Sequence, residues 1–394
     1  MRDFSKRLAY LRESPTRKID ALRERLKREG KDVIILSAGQ PSIPPPLEVR
    51  QKMAELLQEE SMELYGYTPS QGIYELREAI SEDLRRLGGL DVSPDHIVVT
   101  AGGQAAMFST LASILEPGDE VILFDPTYFG YKPLLEYFGA RVVRLRTSLE
   151  EGYQPSVERL KELVSPKTKA VIIVSPDNPT GRLISPDSAK AIADLAIDND
   201  IWLITDEAYK TMIYEGEHVY LYKLAPENVI SINTFSKDPA IPGWRLGYVY
   251  GPKEAVSRIK LVNEEMVYCP PSFAQKMVAI YLRSDIRMKY VKDFIAAYRA
   301  RRDAAVDALK RYVPEGKFKV PQGSMFIFVD LSSYIDDGEA FAQKLLQEYS
   351  VALVPGNYFS EVYKAAVRIS FVAEKTERLI EGIRRIGEAL VAYR

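Results

Sequence analysis

The chain of 394 residues carries 53 Lys and Arg against 55 Asp and Glu, a formal net charge of −2, with 46% hydrophobic and 27% charged residues. That balance describes an ordinary globular chain long enough for more than one domain, without the basic excess that nucleic acid selects. Cys269 is the only cysteine, which excludes intrachain disulfides, and with only His96 and His218 beside it the residue set does not point to a metal site.

The start, Met1-Arg2-Asp3-Phe4-Ser5-Lys6, lacks the apolar core of a signal peptide, and no later stretch is apolar for the length of a membrane span. A reducing, cytoplasmic setting is the expectation. From about Thr16 to Glu29, Ile19, Leu22 and Leu26 recur at helical spacing and predict an amphipathic arm. Ser37-Ala38-Gly39-Gln40-Pro41 and Ile43-Pro44-Pro45-Pro46 predict a rigid, turn-rich linker.

Beyond the linker, short apolar runs alternate with helical patterns. The runs are 97–100, 121–124, 142–145, 170–174, 201–204 and 229–232, several of them continuous in hydrophobicity. Parallel strands covered on both faces read this way, and strands alternating with helices predict an α/β doubly wound, mostly parallel sheet. After Arg283-Ser284-Asp285 the pattern changes. Val291, Phe294, Ile295, Tyr298, Val306 and Leu309 mark one long helix. Strand-like runs follow at 325–329, 351–354 and 367–371, and a last helix carries Leu379, Ile383, Ile386 and Leu390. The expected organisation is an arm and part of the small domain over 1–44, a large domain over 45–285 and a smaller α+β domain over 286–394, to which the arm returns.

In an open parallel sheet, ligands bind outside the carboxyl ends of the strands, so those ends are the place to look for chemistry. After Thr100 comes Ala101-Gly102-Gly103-Gln104, opening a helix. Paired glycines let backbone approach an anion at a helix N-terminus, although a plain tight turn uses them too. After Phe124 comes Asp125-Pro126-Thr127-Tyr128, where an aromatic could stack on a flat ring or simply pack. After Val174, Asn178 could hydrogen-bond a phenolic oxygen or serve only a turn. After Ile204, Asp206 could face a protonated ring nitrogen or cap a helix, and Tyr209 could reach the ring oxygen.

The next run ends in Thr234-Phe235-Ser236-Lys237, with Arg245 eight residues further on. A lysine desolvated near other cations becomes an amine nucleophile, able to form a Schiff base with an aldehyde. Arg245, with the hydroxyls of Thr234 and Ser236, could clamp a phosphate. Each feature alone is ambiguous. Together the five strand ends describe a pocket for pyridoxal phosphate.

The chain resembles the class I/II aminotransferases of the fold-type I pyridoxal-phosphate superfamily, in particular their prokaryotic aspartate/aromatic branch. The resemblance rests on Ala38-Gly39-Gln40-Pro41, Tyr67-Thr68-Pro69-Ser70-Gln71-Gly72 with Leu76-Arg77, Thr100 to Ala105, Asn178-Pro179-Thr180-Gly181 and Asp206-Glu207-Ala208-Tyr209. It continues through Ser236-Lys237 to Tyr248, Val354-Pro355-Gly356 and Val367-Arg368-Ile369-Ser370. It implies that Lys237 holds the cofactor as a Schiff base and later shuttles the substrate proton. Asp206 would pair with the ring nitrogen, Asn178 and Tyr209 with the phenolic oxygen, and Tyr128 would stack on the ring. Gly103, Gln104, Thr234, Ser236 and Arg245 would surround the phosphate, joined by Tyr67 from a neighbouring subunit of a homodimer. Arg368 would grip the substrate α-carboxylate, helped by Asn178 and the Gly39 backbone.

The resemblance further implies transfer of an amino group between an L-amino acid and a 2-oxo acid by a ping-pong mechanism. The same cofactor residues would serve a fold-type I lyase acting on carbon–sulfur bonds. A non-catalytic ligand-binding module is the remaining alternative, against which Lys237 stands intact. Three departures from the family pattern are present. Asp238-Pro239-Ala240-Ile241-Pro242 replaces the usual residues after the lysine, and Thr234 stands where serine or glycine is commoner. Gln104 stands where many aspartate-preferring relatives carry lysine, which weakens the case for aspartate as the main amino donor, although another arginine could substitute.

Overall fold

A computed structural model describes residues 3–11 and 15–393. After the two-residue strand β1 (Ile34–Ile35), the apolar runs form β2 (Ile97–Thr100), β3 (Glu120–Asp125), β4 (Arg141–Arg146), β5 (Thr168–Val174), β6 (Trp202–Asp206) and β7 (Val229–Thr234). With β8 (Gly247–Tyr250) they make one sheet in the order β2-β8-β7-β6-β5-β3-β4. The strands run parallel except β8, which is antiparallel to both of its neighbours.

Alternation along the strands explains the two buried faces. Val121, Leu123, Ile172 and Ile204 pack beneath Met107 and Leu111 of the Gly103–Ile114 helix and Ile259 of the Lys253–Val267 helix. Ile122, Phe124, Ile173 and Leu203 face the other way, onto Ile192, Ala193 and Ala196 of the Pro186–Asn199 helix. Each run is continuously apolar because both of its faces are covered. At the sheet edge, β4 exposes Arg141 and Arg146, charges that discourage another chain from pairing there.

Strand β8 is not among the apolar runs read from the sequence and overlaps the end of the motif that runs to Tyr248. It is short, and its tyrosines Tyr248 and Tyr250 pack on one face while Val249 packs on the other. Its reversed insertion brings Thr234 level with Gly247, so the chain leaving β7 must double back at once. Lys237 sits in that reversal.

The C-terminal part forms a second layer. β9 (Phe326–Asp330), β11 (Val354–Pro355) and β12 (Ala366–Ser370) pair antiparallel in the order β11-β12-β9. The run expected as one strand at 351–354 divides: β10 (Val351–Ala352) pairs in parallel with β1, and only the remainder joins β12. The 27-residue helix Ile286–Tyr312 buries Phe294, Tyr298, Val306 and Leu309 against β9 and against Leu379, Ile383 and Ile386 of the Thr376–Tyr393 helix. The Pro15–Arg28 helix takes the place of the predicted arm, with Leu26 buried beside Leu346 and Ala352.

Candidate active site

A cavity of about 650 Å³ opens over the carboxyl ends of the central strands, walled on the far side by the 37–42 segment, Phe326 and Arg368. Every residue singled out in the sequence lines it except Tyr67, whose side chain lies exposed on the surface beside Tyr268.

Lys237 follows β7, and its Nζ donates to the Gly39 carbonyl at 2.5 Å. The Tyr209 ring lies 5.6 Å from the same nitrogen. Burial, reinforced by the nearby Arg368 guanidinium and only partly offset by Asp206, lowers the amine's pKa to about 8. Such an amine is far more often neutral, and so nucleophilic, than a surface lysine.

Asp206 closes β6 with its carboxylate turned into the cavity. Its Oδ2 accepts from the Tyr131 hydroxyl at 2.6 Å and its Oδ1 from the Ala208 backbone N–H at 3.0 Å. Burial raises its pKa, and these two donors pull it back. Tyr128 packs edge-on to Tyr131, with centroids 5.3 Å apart. Across the cavity Arg368, on β12, is 2% exposed, a burial that a guanidinium tolerates only with partners. It donates to Asn178 Oδ1 at 3.0 Å and to the Ser37 carbonyl at 2.9 Å, and lies 3.9 Å from the Phe326 ring centroid. Burial lowers its pKa to about 10. Its Nε, buried, has no hydrogen-bond partner.

Another group of lining residues offers contacts that suit an anion. The Gly103–Ile114 helix starts with no side-chain cap on its first amides. Gly102 precedes it at φ 96°, and a Cβ there would stand 2.7 Å from Arg245 Nη2. Only glycine combines that dihedral with so close an arginine. Arg245, itself left-handed at φ 53°, is steadied by the carbonyls of Pro242 (2.8 Å) and Ala101 (3.4 Å). Thr234 Oγ1 donates to Ser236 Oγ at 2.9 Å and accepts from the Ser236 backbone N–H at 3.1 Å. Free helix amides, a guanidinium and hydroxyls together form a cradle for a phosphate-sized dianion.

Sequence reading missed Tyr131, Phe326 and the Ser37 carbonyl. Tyr131 had a signal, since it lies three residues after Tyr128 at the start of the Tyr131–Tyr137 helix, and the two rings meet edge-on. Ser37 and Phe326 had none. Both reach the cavity through pairing that joins distant parts of the chain: Leu36 N–H bonds to Ala352 and Ser370 N–H to Leu36.

A buried lysine, a buried carboxylate, an uncapped helix N-terminus beside a guanidinium, and a buried arginine line one cavity on an α/β fold, a set that fits pyridoxal phosphate. The family model for "Aminotransferase class I and II" matches residues 31–386. The chain is 34% identical to the aspartate/prephenate aminotransferase of Thermus thermophilus over 391 residues, 99% of each chain. It is 35% identical to the aspartate aminotransferase of Pyrococcus horikoshii over 372 residues, 94% of each. The solved structure of the Thermus thermophilus aspartate aminotransferase with maleate superposes with a TM-score of 0.92, covering 99% of this chain and 100% of that one. The protein therefore belongs to the class I and II aminotransferases, pyridoxal-phosphate-dependent enzymes that move an amino group between an amino acid and a 2-oxo acid. The residues present fit that cofactor: the cradle at Gly102 is open where any other side chain would fill it, and Asp206 and Lys237 line the same cavity.

Proposed function

We propose that this aminotransferase holds its cofactor through Lys237 and orients its amino-acid substrate through Arg368. The observation that carries the reading is that both groups line one cavity, with the lysine amine lowered to about 8 and the guanidinium buried. Gly103, Gln104, Thr234, Ser236 and Arg245 would hold the phosphate. Asp206 would keep the ring nitrogen protonated, with Tyr131 fixing the carboxylate. Asn178 and Tyr209 would take the phenolic oxygen, Tyr128 would cover one ring face, and Gly39 would join Arg368 and Asn178 around the substrate α-carboxylate.

Bound in this way, pyridoxal phosphate supplies an aldehyde to capture the amino group and an electron-withdrawing ring to stabilise charge at the substrate Cα. The chain does the rest. Arg368 and Asn178 fix the α-carboxylate, which sets the Cα–H bond toward Lys237. Its amine free, Lys237 would take the Cα proton as general base and hand it on as general acid. Storing the amino group on the enzyme between two substrates makes the kinetics ping-pong.

A homodimer with shared sites, a cytoplasmic location and the division into 1–44, 45–285 and 286–394 belong to the same proposal. The pairing of β1 with β10 supports grouping the arm with the C-terminal part. The substrate side chain meets two different walls. Gln104 offers only neutral hydrogen bonding, whereas Arg23, from the Pro15–Arg28 helix, brings a cation to the lining. Arg23 favours a second reading in which the substrate side chain is acidic and the charge comes from the arm.

The test adds glutamate, aspartate, tyrosine, phenylalanine, alanine or arginine singly to the cofactor-loaded enzyme and follows loss of the visible Schiff-base band. We expect conversion by at least one of them, with release of its 2-oxo acid. Indifference to all of them contradicts the proposal. Conversion by aspartate and glutamate alone, lost in Arg23→Gln, selects the acidic reading.

A further inference from the structure

The departure from the family pattern directly after Lys237 has an answer elsewhere in the chain. Asp238 is buried, and its Oδ1 accepts from the Tyr281 hydroxyl at 2.5 Å while its Oδ2 accepts from Arg287 Nη2 at 3.2 Å. Arg287, 2% exposed in the first turn of the Ile286–Tyr312 helix, also donates to Asp83 Oδ1 at 2.5 Å. Asp83 belongs to the Tyr74–Gly88 helix and takes a further bond from Arg86 at 2.8 Å. Two helices of different layers thus meet the Lys237 loop at one guanidinium.

Buried ion pairs seldom stabilise a fold more than well-packed apolar groups of the same shape would. Their placement is therefore informative. Asp238 is joined to Lys237 by a peptide bond. Further along the same helix, the Tyr290 hydroxyl lies 3.5 Å from the carbonyls of both Pro239 and Ile43. The Tyr298 hydroxyl accepts from the backbone N–H groups of Ser42 and Ile43 at 3.1 and 3.0 Å. Those residues continue the wall whose Gly39 carbonyl holds the Lys237 amine. One helix therefore grips both sides of the space in which that amine works.

We propose that Asp238 and Arg287 form a positioning pair that fixes the Lys237 backbone relative to the 39–43 wall, so that the freed amine returns to one place above the substrate Cα. Neither residue touches the reacting atoms. Their effect is on geometry, where a displacement of about 1 Å can slow a step about 100-fold. This inference rests on Lys237 being the lysine that bonds the cofactor.

The experiment compares cofactor-loaded wild type, Asp238→Asn, Arg287→Met, their double variant and Tyr281→Phe, the last keeping both charges in place. Single-turnover rates are measured with the panel amino acid that converts fastest, carrying hydrogen or deuterium on Cα. Asp238→Asn and Arg287→Met are each expected to slow the step about tenfold or more and to raise the deuterium isotope effect, with apparent substrate affinity changed less than about threefold. The double variant should be little worse than either single change, as expected of two halves of one device. Tyr281→Phe should show the same increase in isotope effect in milder form, which keeps the question answerable where a charge variant fails to fold.

Lowered thermal stability with an unchanged isotope effect in every folded variant overturns the positioning role. In parallel, borohydride reduction of the wild-type holoenzyme followed by peptide mass mapping locates the bonded lysine. Trapping at a residue other than Lys237 defeats the underlying assignment. Trapping at Lys237 with unaltered isotope effects defeats the positioning pair alone.

Discussion

The reactivity of Lys237 depends on what surrounds it. Desolvation is the leading influence and Arg368 adds to it, so the amine loses its proton near pH 8 where an ordinary lysine does so near 10.5. At pH 7 about a tenth of the molecules then carry a neutral amine, roughly 300 times more than for an unperturbed lysine. The sign is fixed: a lowered pKa means the reactive form accumulates as pH rises, is half formed near pH 8 and is nearly complete about one unit above it. Cofactor-free enzyme mixed with pyridoxal phosphate should form its visible Schiff-base band about tenfold faster per pH unit below that point, then level off. A rate that still climbs through pH 10 would show that the cavity leaves the amine unperturbed. Sequence pointed to Lys237 because an ammonium between an apolar strand and a Pro-Gly-Trp turn is out of place on a surface. It gave no comparable sign for Ser37 or Phe326, since a backbone carbonyl is chemically anonymous and a phenylalanine in a strand reads as core.

At the level of elements, the anion cradle depends on the turn between β2 and the Gly103–Ile114 helix. Gly102→Ala would place a methyl group at 2.7 Å from Arg245 Nη2 on a backbone held at φ 96°. The guanidinium can move aside, but φ 96° with ψ 170° is open almost only to glycine, so the fold should lose about 1–3 kcal/mol. The cradle should suffer as well. We expect affinity for pyridoxal 5′-phosphate, measured by absorbance titration, to fall about tenfold or more, consistent with a displaced charge-assisted contact. Affinity for pyridoxal, which lacks the phosphate, should be nearly unchanged. Equal losses for both compounds would place the damage in the ring site and remove Arg245 from the phosphate grip. The strands feeding this turn were legible because β2, β3, β5, β6 and β7 are apolar on both faces, a pattern that a doubly covered sheet demands. Strand β8 was not, because its four residues alternate partners within a segment dense with Gly, Pro and Trp. The division of 351–354 between two sheets was equally hidden, since nothing local in Val351-Ala352-Leu353-Val354 announces that its partner changes from β1 to β12.

On the scale of the whole molecule, Tyr67 is the predicted site residue that a single chain does not bring to its own cavity. It is 85% exposed, in edge contact with Tyr268, and Tyr65 and Met62 nearby are exposed as well. A cluster of exposed aromatic and aliphatic side chains marks an interaction surface. In a two-fold dimer that surface would present Tyr67 to the neighbour's cradle. Sedimentation should then give a dimer, and hybrid dimers provide the sharper test. Lys237→Ala lacks the amine and Tyr67→Ala weakens the neighbour's cradle, so at limiting cofactor each variant alone should be nearly inactive. Mixed and allowed to exchange, half of the dimers carry one subunit of each kind. In such a hybrid one site combines an intact Lys237 with an intact Tyr67, and the other lacks both. Activity should recover to about one quarter of wild type. A mixture no more active than the sum of its parents would confine each site to one chain, and would leave Tyr67 as a surface tyrosine whose family motif persists without its role.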